Sequence, residues 1–265
     1  YKPEEKLDFY NQVLEQEDVS PGVLLFLSKD GDRQLRVAVA TNPNTPPEAL
    51  LVLSKDEEKM IRRAVADNPS TPTETLLVLS RDGNMGVRRY VAENPNTPPE
   101  ALLVLAGDRY EDVKENVAHN PNTPIQAFLI LSKDRNHYTR MNVAENPSTP
   151  PEVLLALSKD ADWRVRSWVA KSPNTPPEAL IALVKTNSLD VRLALTKNPN
   201  TPIQALLALS KDKEKRVRGS VARNPSTPLE VLHVLADDGE HYVKDSAELF
   251  IRKREELENK NPKIT

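Results

Sequence analysis

The 265-residue sequence has no cysteine and only 7 glycines, and these scarcities limit what the chain can be. Without cysteine there is no disulfide, no thiolate metal site and no cysteine nucleophile. No apolar run reaches the roughly 18 residues that a membrane-spanning helix needs, and the first six residues lack the apolar stretch of a signal peptide. We therefore expect a cytoplasmic protein. The net charge of −3 gives no general attraction to nucleic acid or anionic lipid.

The sequence also lacks the motifs that mark common catalytic and cofactor sites. It contains no G-x-G-x-x-G, P-loop, G-x-S-x-G or H-E-x-x-H segment, and none of its 4 histidines is paired at metal-ligand spacing. The carboxylates are accounted for by helix starts and by a regular acidic column, so no isolated pair remains to act as acid and base. We predict a non-enzymatic protein with no catalytic residues, cofactor or bound metal.

Proline is abundant, with 23 residues, and its spacing reveals a repeat of 26 residues (68 − 42 = 26). Ser172-Pro173 fills the one place where an Asn-Pro pair is missing from this series. The pairs begin at Asn42, Asn68, Asn94, Asn120, Asn146, Asn198 and Asn224. A fixed period of this length is the sequence signature of a stacked repeat protein.

The first half of each repeat predicts a short helix. In the second repeat, Thr45, Pro46 and Glu48 follow the capping-box pattern, so we expect Thr45 to be the N-cap and Pro46 the first helical residue. The Ala-Leu-Leu-Val-Leu run from Ala49 then predicts a helix of about ten residues. Since this run is apolar around most of the helix, we expect burial on several sides.

The second half of each repeat predicts another short helix. After a polar turn, Ile61, Val65 and Ala66 stand at helical spacing, and Asn68-Pro69 follows. Proline cannot continue a helix and also disfavours helical geometry in the residue before it, so the second helix should end there.

About nine such units run from Pro21 to about Leu249, which predicts an all-α solenoid. End repeats would expose their apolar faces, so such stacks need caps. We predict an N-terminal cap helix over residues 1–17, the solenoid over residues 18–249, and a C-terminal cap-helix extension and tail over residues 250–265.

The segments Asn-Pro-Asn-Thr-Pro-Pro-Glu-Ala-Leu-Leu and Val-Arg-x-x-Val-Ala resemble the leucine-rich-repeat variant family, over roughly residues 18–249. The resemblance implies an α-helix followed by a shorter helix, α or 3₁₀, stacked in a right-handed superhelix without a sheet. One type of family member carries a cysteine-ligated iron–sulfur segment, which does not carry over to a chain without cysteine. The resemblance implies an architecture and says little about activity.

Two charged columns of opposite sign recur with the same period. The basic one is Arg36, Arg62, Arg88, Lys114, Arg140, Arg166, Arg192, Arg218 and Lys244, and the acidic one is Asp30, Asp56, Asp82, Asp108, Asp134, Asp160, Asp212 and Asp238. Matched ladders favour pairing with each other and with helix ends. The alternative is that the Arg/Lys ladder tracks the phosphates of a nucleic acid without regard to its sequence. If the ladders pair, Thr186 breaks the acidic column and leaves Arg192 without its partner.

Binding information should lie in columns that vary, because the regular columns are occupied by stacking and capping. One column in the second helix holds both alanine and tryptophan, which a packed core would not tolerate, so it should border a groove. It reads Ala38, Ala64, Tyr90, Asn116, Asn142, Trp168, Ala194, Ser220 and Ser246. We predict that Tyr90, Asn116, Asn142 and Trp168, with Arg164 one turn away from Trp168, bind a protein or extended peptide along a concave second-helix face. The competing interpretation is that the aromatic residues fill local gaps.

The residue that ends the second helix changes sign along the chain. The column is acidic at Asp67, Glu93 and Glu145, with His119 among them, and basic at Lys171, Lys197 and Arg223. Free variation of solvated helix ends explains this pattern. The functional alternative is a dipolar surface for a partner of opposite polarity or for head-to-tail contact between copies.

Overall fold

A computed structural model describes residues 19–260, and this part of the chain is all-α, with 18 helices and no strand. The chain divides between Thr139 and Arg140 into two compact units. Both are stacks of helix pairs, which confirms the predicted all-α solenoid. The predicted cap helix at residues 1–17 and the end of the tail at residues 261–265 lie outside the described residues.

The first helix of each pair begins near a proline and spans two turns. These helices are Pro21–Leu27 (α1), Pro47–Leu53 (α3), Thr73–Leu79 (α5), Pro99–Leu105 (α7), Ile125–Leu131 (α9), Pro151–Leu157 (α11), Pro177–Leu183 (α13), Ile203–Leu209 (α15) and Leu229–Ala236 (α17). All but α17 have 7 residues, so the prediction of about ten was too long. A serine follows most of these helices, and its N–H closes the last turn, as when the Ser54 N–H donates to the carbonyl oxygen of Leu50 at 2.8 Å.

The second helices are longer than the first, the reverse of what the family resemblance implies. They are Arg33–Thr41 (α2), Lys59–Asp67 (α4), Met85–Glu93 (α6), Glu111–His119 (α8), His137–Glu145 (α10), Trp163–Lys171 (α12), Leu189–Lys197 (α14), Lys215–Ala222 (α16) and His241–Lys260 (α18). All are α-helices, mostly of 9 residues. The Asn-Pro pairs end them as predicted, with Asn68 extended at φ −69° and ψ 124°.

The threonine column does not cap the first helices, so the capping-box prediction was wrong. The N-cap of α3 is Pro46, and Pro47 is the first helical residue. The hydroxyl of Thr45 instead donates to the carbonyl oxygen of Val39 at 2.6 Å, near the end of the preceding α2. The last carbonyls of a helix have no partner within the helix, and the buried threonine supplies one. Thr71, Thr97, Thr123, Thr149, Thr175, Thr201 and Thr227 repeat this bond.

Each first helix buries only one side, which corrects the expectation of burial on several sides. Ala49, Leu50 and Leu53 are fully buried, whereas Leu51 is 46% and Val52 is 37% exposed. A helix of two turns presents positions i, i+1 and i+4 to its neighbours and turns the two residues between them outward. In the first unit the exposed apolar positions of this kind are Phe26, Leu51, Val52, Val78, Leu103, Val104, Leu129 and Ile130.

Asparagine side chains join each repeat to the one before it. The Asn68 Nδ2 donates to the carbonyl oxygens of Ala40 and Asn42, both at 2.8 Å, and its Oδ1 accepts from the Ser70 N–H at 2.8 Å. Asn94, Asn120, Asn198 and Asn224 make the same backbone contacts. These bonds satisfy carbonyls at the ends of the second helices and fix the stacking distance between repeats.

Within each unit, neighbouring second helices pack side by side. Ile61, Val65 and Ala66 of α4 are fully buried, and the equivalent residues of the other second helices form the same core column. The last helix, α18, has 20 residues and is the longest described. No helix among the described residues is both long enough and apolar enough to cross a bilayer.

Candidate binding surface

The basic and acidic ladders pair with each other across neighbouring repeats, as predicted. Arg36 Nε lies 2.6 Å from Asp56 Oδ2, and Arg36 Nη1 donates to the Asp30 carbonyl oxygen at 2.9 Å. The same pairing joins Arg62 to Asp82, Arg88 to Asp108, Lys114 to Asp134, Arg140 to Asp160, Arg192 to Asp212 and Arg218 to Asp238. The hydrogen bond from Arg218 outweighs burial and lowers the pKa of Asp238 below its ordinary value.

Pairing removes these cations from any phosphate track. The basic side chains of the pairs are only 8–19% exposed, and each guanidinium faces a carboxylate. A row of cations that neutralises phosphates must be accessible and free of competing anions. The nucleic-acid alternative therefore has no support in this geometry.

The gap in the acidic column lies opposite Arg166, so the expectation that Arg192 lacks a partner was wrong. The paired basic residues reach the aspartate 20 residues later, in the next repeat, and Arg192 lies 2.6 Å from Asp212. Arg166 meets Thr186 instead, with 3.5 Å between Nη2 and Oγ1. This contact is long for a hydrogen bond and lacks the charge of the other pairs.

The solvent-facing side of the second helices is the surface where the predicted binding residues lie. We call it the second-helix surface. In α12 it comprises Arg164, Ser167, Trp168 and Lys171, at the i, i+3, i+4 and i+7 spacing that shares one helical face. The equivalent residues of the other second helices extend it within each unit.

Two of the predicted residues, Tyr90 and Asn116, lie on this surface in the first unit. The half-buried ring of Tyr90 has the Arg63 guanidinium 4.3 Å from its centroid, and Arg63 also donates to the Tyr90 hydroxyl. Asn116, on α8, is likewise half-buried. Next to it, burial raises the pKa of Glu115, and the neighbouring Asp112 and Glu111 raise it further.

The other three predicted residues lie in the second unit. Asn142, on α10, is only 8% exposed. The Arg164 Nε is 3.1 Å from Asp162 Oδ1, and its guanidinium lies 5.9 Å from the ring of Trp163. Trp168 is half-buried, and the Lys171 ammonium lies over its ring at 4.3 Å. The structure therefore places a lysine, and not Arg164, against Trp168.

In the second unit, the second-helix surface carries exposed cations on two sides of a strip of less exposed side chains, and we call this region the cationic furrow. Its floor consists of the buried Ser167, Ala194 and Ser220 and the half-buried Leu193, with Gly219 beneath the ring of Tyr242. Exposed cations form its rims: Arg164 and Arg216 on one side, and Lys171, Lys197 and Arg223 on the other. Seven residues separate the two rims along a helix, which corresponds to about 10 Å.

Two aromatic side chains border the cationic furrow. Trp168 stands beside the floor on α12, and at the other end the ring of Tyr242 lies directly over Gly219. A Cβ at Gly219 would collide with that ring, so glycine is required for this approach. The Arg223 guanidinium lies 5.0 Å from the Tyr242 ring centroid. The sequence pattern did not identify Gly219, Arg216 or Tyr242 as residues of this surface. The change from acidic to basic residues at the ends of the second helices, which occurs at Lys171, did indicate this region.

The depressions described in the first unit offer little for catalysis. One, of about 630 Å³, is lined by proline, serine, threonine and asparagine residues between Pro69 and Asn122, none of them titratable. Another, of about 370 Å³, lies on the second-helix surface among Arg33, Gln34, Val37 and Met60. Neither brings together a nucleophile and a base.

Comparison with known families identifies the repeat. The profile of the leucine rich repeat variant family matches residues 33–58 and 86–109. These two segments are leucine-rich repeat variant repeats. A solved structure described as a leucine-rich repeat variant with a novel repetitive structural motif shares 25% identity, covers 83% of this chain and 87% of its own, and gives a TM-score of 0.60. A comparison with the curated proteins gives no match.

Two further structures resemble the leucine-rich repeat variant stack more weakly. An engineered protein shares 17% identity, covers 92% of this chain and 94% of its own, and has a TM-score of 0.38. A computationally designed armadillo repeat protein for modular peptide recognition shares 12% identity over 88% of this chain and 99% of its own, with a TM-score of 0.21. At these scores the resemblance carries no argument about function.

Proposed function

We propose that this chain is a non-catalytic scaffold whose second-helix surface binds a segment of another protein in extended conformation. The observation that carries the proposal is Trp168, a half-buried aromatic side chain beside a floor of mostly small residues. Tryptophan is enriched among the residues that dominate binding energy, because it buries much apolar area with few rotatable bonds. The small side chains of the floor beside it leave room for a polypeptide backbone.

The regular columns have structural roles, and this supports the choice of surface. Threonine, asparagine, arginine and aspartate columns are engaged in bonds between or within repeats. Among the variable positions of the second helices, Tyr90 and Asn116 in the first unit and Arg164 in the second remain accessible. Asn142 could contribute only an edge of its amide. The cytoplasmic location and the division into residues 1–17, 18–249 and 250–265 remain predictions.

Selection from a displayed library of random peptides tests this function. We expect wild-type protein to enrich a defined set of sequences, and Trp168→Ala to lose at least about tenfold in affinity for them, since truncating a binding hot spot costs 2 kcal/mol or more.

Trp163→Ala is the matched control. Trp163 is the chain's other tryptophan, lies in the same helix and is 42% exposed, but stands outside the cationic furrow. Equal losses in both variants, or enrichment that neither substitution changes, would show that Trp168 does not anchor a ligand.

A further inference from the structure

We infer that the cationic furrow of the second unit selects an acidic polypeptide segment, one rich in glutamate or aspartate. This inference rests on the proposed function and adds the chemistry of the partner. It is carried by an observation independent of Trp168, namely the arrangement of exposed cations on both sides of a floor of mostly small residues.

The cations of one rim are regularly placed. Lys171, Lys197 and Arg223 are 26 residues apart, at the same position of three consecutive second helices, and all are exposed. Packed helices lie about 8–10 Å apart, so the three charges stand at about that spacing. A segment in polyproline II conformation has three residues per turn and advances about 9 Å per turn. Carboxylates three residues apart on such an acidic segment lie on one side of the chain and would therefore meet successive cations.

The opposite rim adds positive charge at Arg164 and Arg216, with Asp190 between them. The three central helices α12, α14 and α16 thus present five cations and one anion on this face. Among residues 19–257, Lys197 and Arg216 form no ion pair, so their charges are not neutralised within the protein. Complementary electrostatic potentials across an interface guide the correct partner into place and disfavour partners of the wrong charge.

The surface beyond the cationic furrow is of the opposite sign. Glu145 stands on α10 before Lys171, and Asp245 stands on α18 after Gly219. These carboxylates would repel an acidic chain, and they limit the favourable region to three repeats. At about 8–10 Å per repeat, that length suits a segment of roughly nine residues.

The floor favours a polypeptide over a single-stranded nucleic acid. Proteins that bind single strands stack successive bases on aromatic side chains. Here Trp168 is partly covered by Lys171, and Tyr242 lies against Gly219 with Arg223 beside it. Between these two rings lie Ser167, the half-buried Leu193, Ala194 and Ser220, none of them aromatic. A peptide backbone with carboxylates on both sides fits this strip without requiring an aromatic partner for each unit.

The test measures binding of fluorescently labelled poly-L-glutamate to the full chain, with single-stranded poly(dT) as the competing polyanion. We expect poly-L-glutamate to bind more tightly than poly(dT), and its affinity to fall as salt is added, because exposed ion pairs are screened. The triple variant Lys171→Gln, Lys197→Gln, Arg223→Gln should lose about tenfold or more in affinity for poly-L-glutamate.

The control variant removes three positive charges from the same three repeats, but at positions outside the cationic furrow. Lys159→Gln, Lys185→Gln and Lys211→Gln change exposed lysines in the turns after the first helices, and this variant should bind like wild type. Equal weakening in both triple variants would mean that only net charge matters and would overturn the inference. So would tighter binding of poly(dT), or no binding of poly-L-glutamate.

The inference and the proposed function fail in different ways. If the displayed library enriches neutral or basic peptides whose binding depends on Trp168, the scaffold function stands and acidic selectivity is wrong. If poly-L-glutamate binds through the rim cations but Trp168→Ala has no effect on any ligand, the furrow is acidic-selective without the proposed aromatic anchor. Circular dichroism of every variant, compared with wild type, confirms that the helices are intact.

Discussion

Ser172 stands in the asparagine column without the amide that joins repeats at Asn68, Asn94, Asn120, Asn198 and Asn224, and Ser172→Asn should supply that joint. The Ser172 hydroxyl is buried without a hydrogen-bond partner. By the 26-residue period, an asparagine there would direct its Nδ2 to the carbonyl oxygens of Ala144 and Asn146. Its Oδ1 would accept from the N–H of Asn174, as Asn198 does from Asn200 at 2.9 Å.

The expected gain follows from the bonds at the intact positions. Asn198 Nδ2 donates to Ala170 and Ser172 at 2.9 and 3.0 Å, so three new bonds form in all. Each bond contributes about 0.5–1.5 kcal/mol net, and fixing the longer side chain costs part of that. We expect a rise of about 1–3 kcal/mol in the free energy of unfolding, measured by urea unfolding with an unchanged slope.

Two further variants separate the bonds from the loss of the serine. Asn198→Ser should lower the free energy of unfolding by a similar amount. Ser172→Ala removes the unpartnered hydroxyl without adding a bond, so its gain should not exceed the roughly 1 kcal/mol expected for a buried unpartnered hydroxyl. The reasoning is refuted if Ser172→Asn is no more stable than Ser172→Ala while Asn198→Ser is clearly destabilised.

Three other substitutions test particular contacts. Thr186→Asp should add a charged pair with Arg166 and raise the free energy of unfolding by about 1 kcal/mol. Pairing lowers the folded-state pKa of the new carboxyl. The gain should therefore be present above about pH 4 and disappear as the pH falls through that lowered pKa. Thr139→Val should stabilise by about 1 kcal/mol, because Thr139 is fully buried and its hydroxyl has no partner; an unchanged urea midpoint would contradict this. Glu115→Gln should slightly raise the thermal midpoint at neutral pH, because burial and the nearby Asp112 raise the pKa of Glu115 and disfavour its carboxylate. That difference should vanish below the ordinary glutamate pKa of about 4.3, and a difference that persists there would contradict the explanation.

The sequence predicted the repeat, the helix pairs and the pairing of the charged ladders because each depends on local sterics or on a strict period. Proline after asparagine ends a helix whatever surrounds it. The role of Thr45 could not be read in this way. Its pattern fits an N-cap, but folding brings the Val39 carbonyl within 2.6 Å, and only the packed structure shows which bond forms.

The surface was less predictable than the core. The contrast between alanine and tryptophan in one column suggested an accessible position, because a core column cannot tolerate both volumes. Tyr90, Asn116 and Trp168 are half-buried, but Asn142, Ala194, Ser220 and Ser246 are buried. Composition suggested that Leu51 and Val52 were buried, yet a helix of two turns leaves them exposed. Which residue Arg164 contacts depends on its rotamer, and the close approach at Gly219 involves the Tyr242 ring of the next repeat. Neither can be read from the sequence pattern.

The asparagine bonds end on main-chain carbonyls, and that choice of acceptor has an evolutionary consequence. A joint made to the backbone places no demand on the side chains of the adjoining repeat, so surface positions can diverge while the connection persists. A 26-residue segment bounded by Asn-Pro pairs would find the same two main-chain carbonyl acceptors wherever it is inserted in the stack. Duplication or loss of whole segments of this kind would therefore alter the length and charge of the binding surface without requiring compensating changes at the joints.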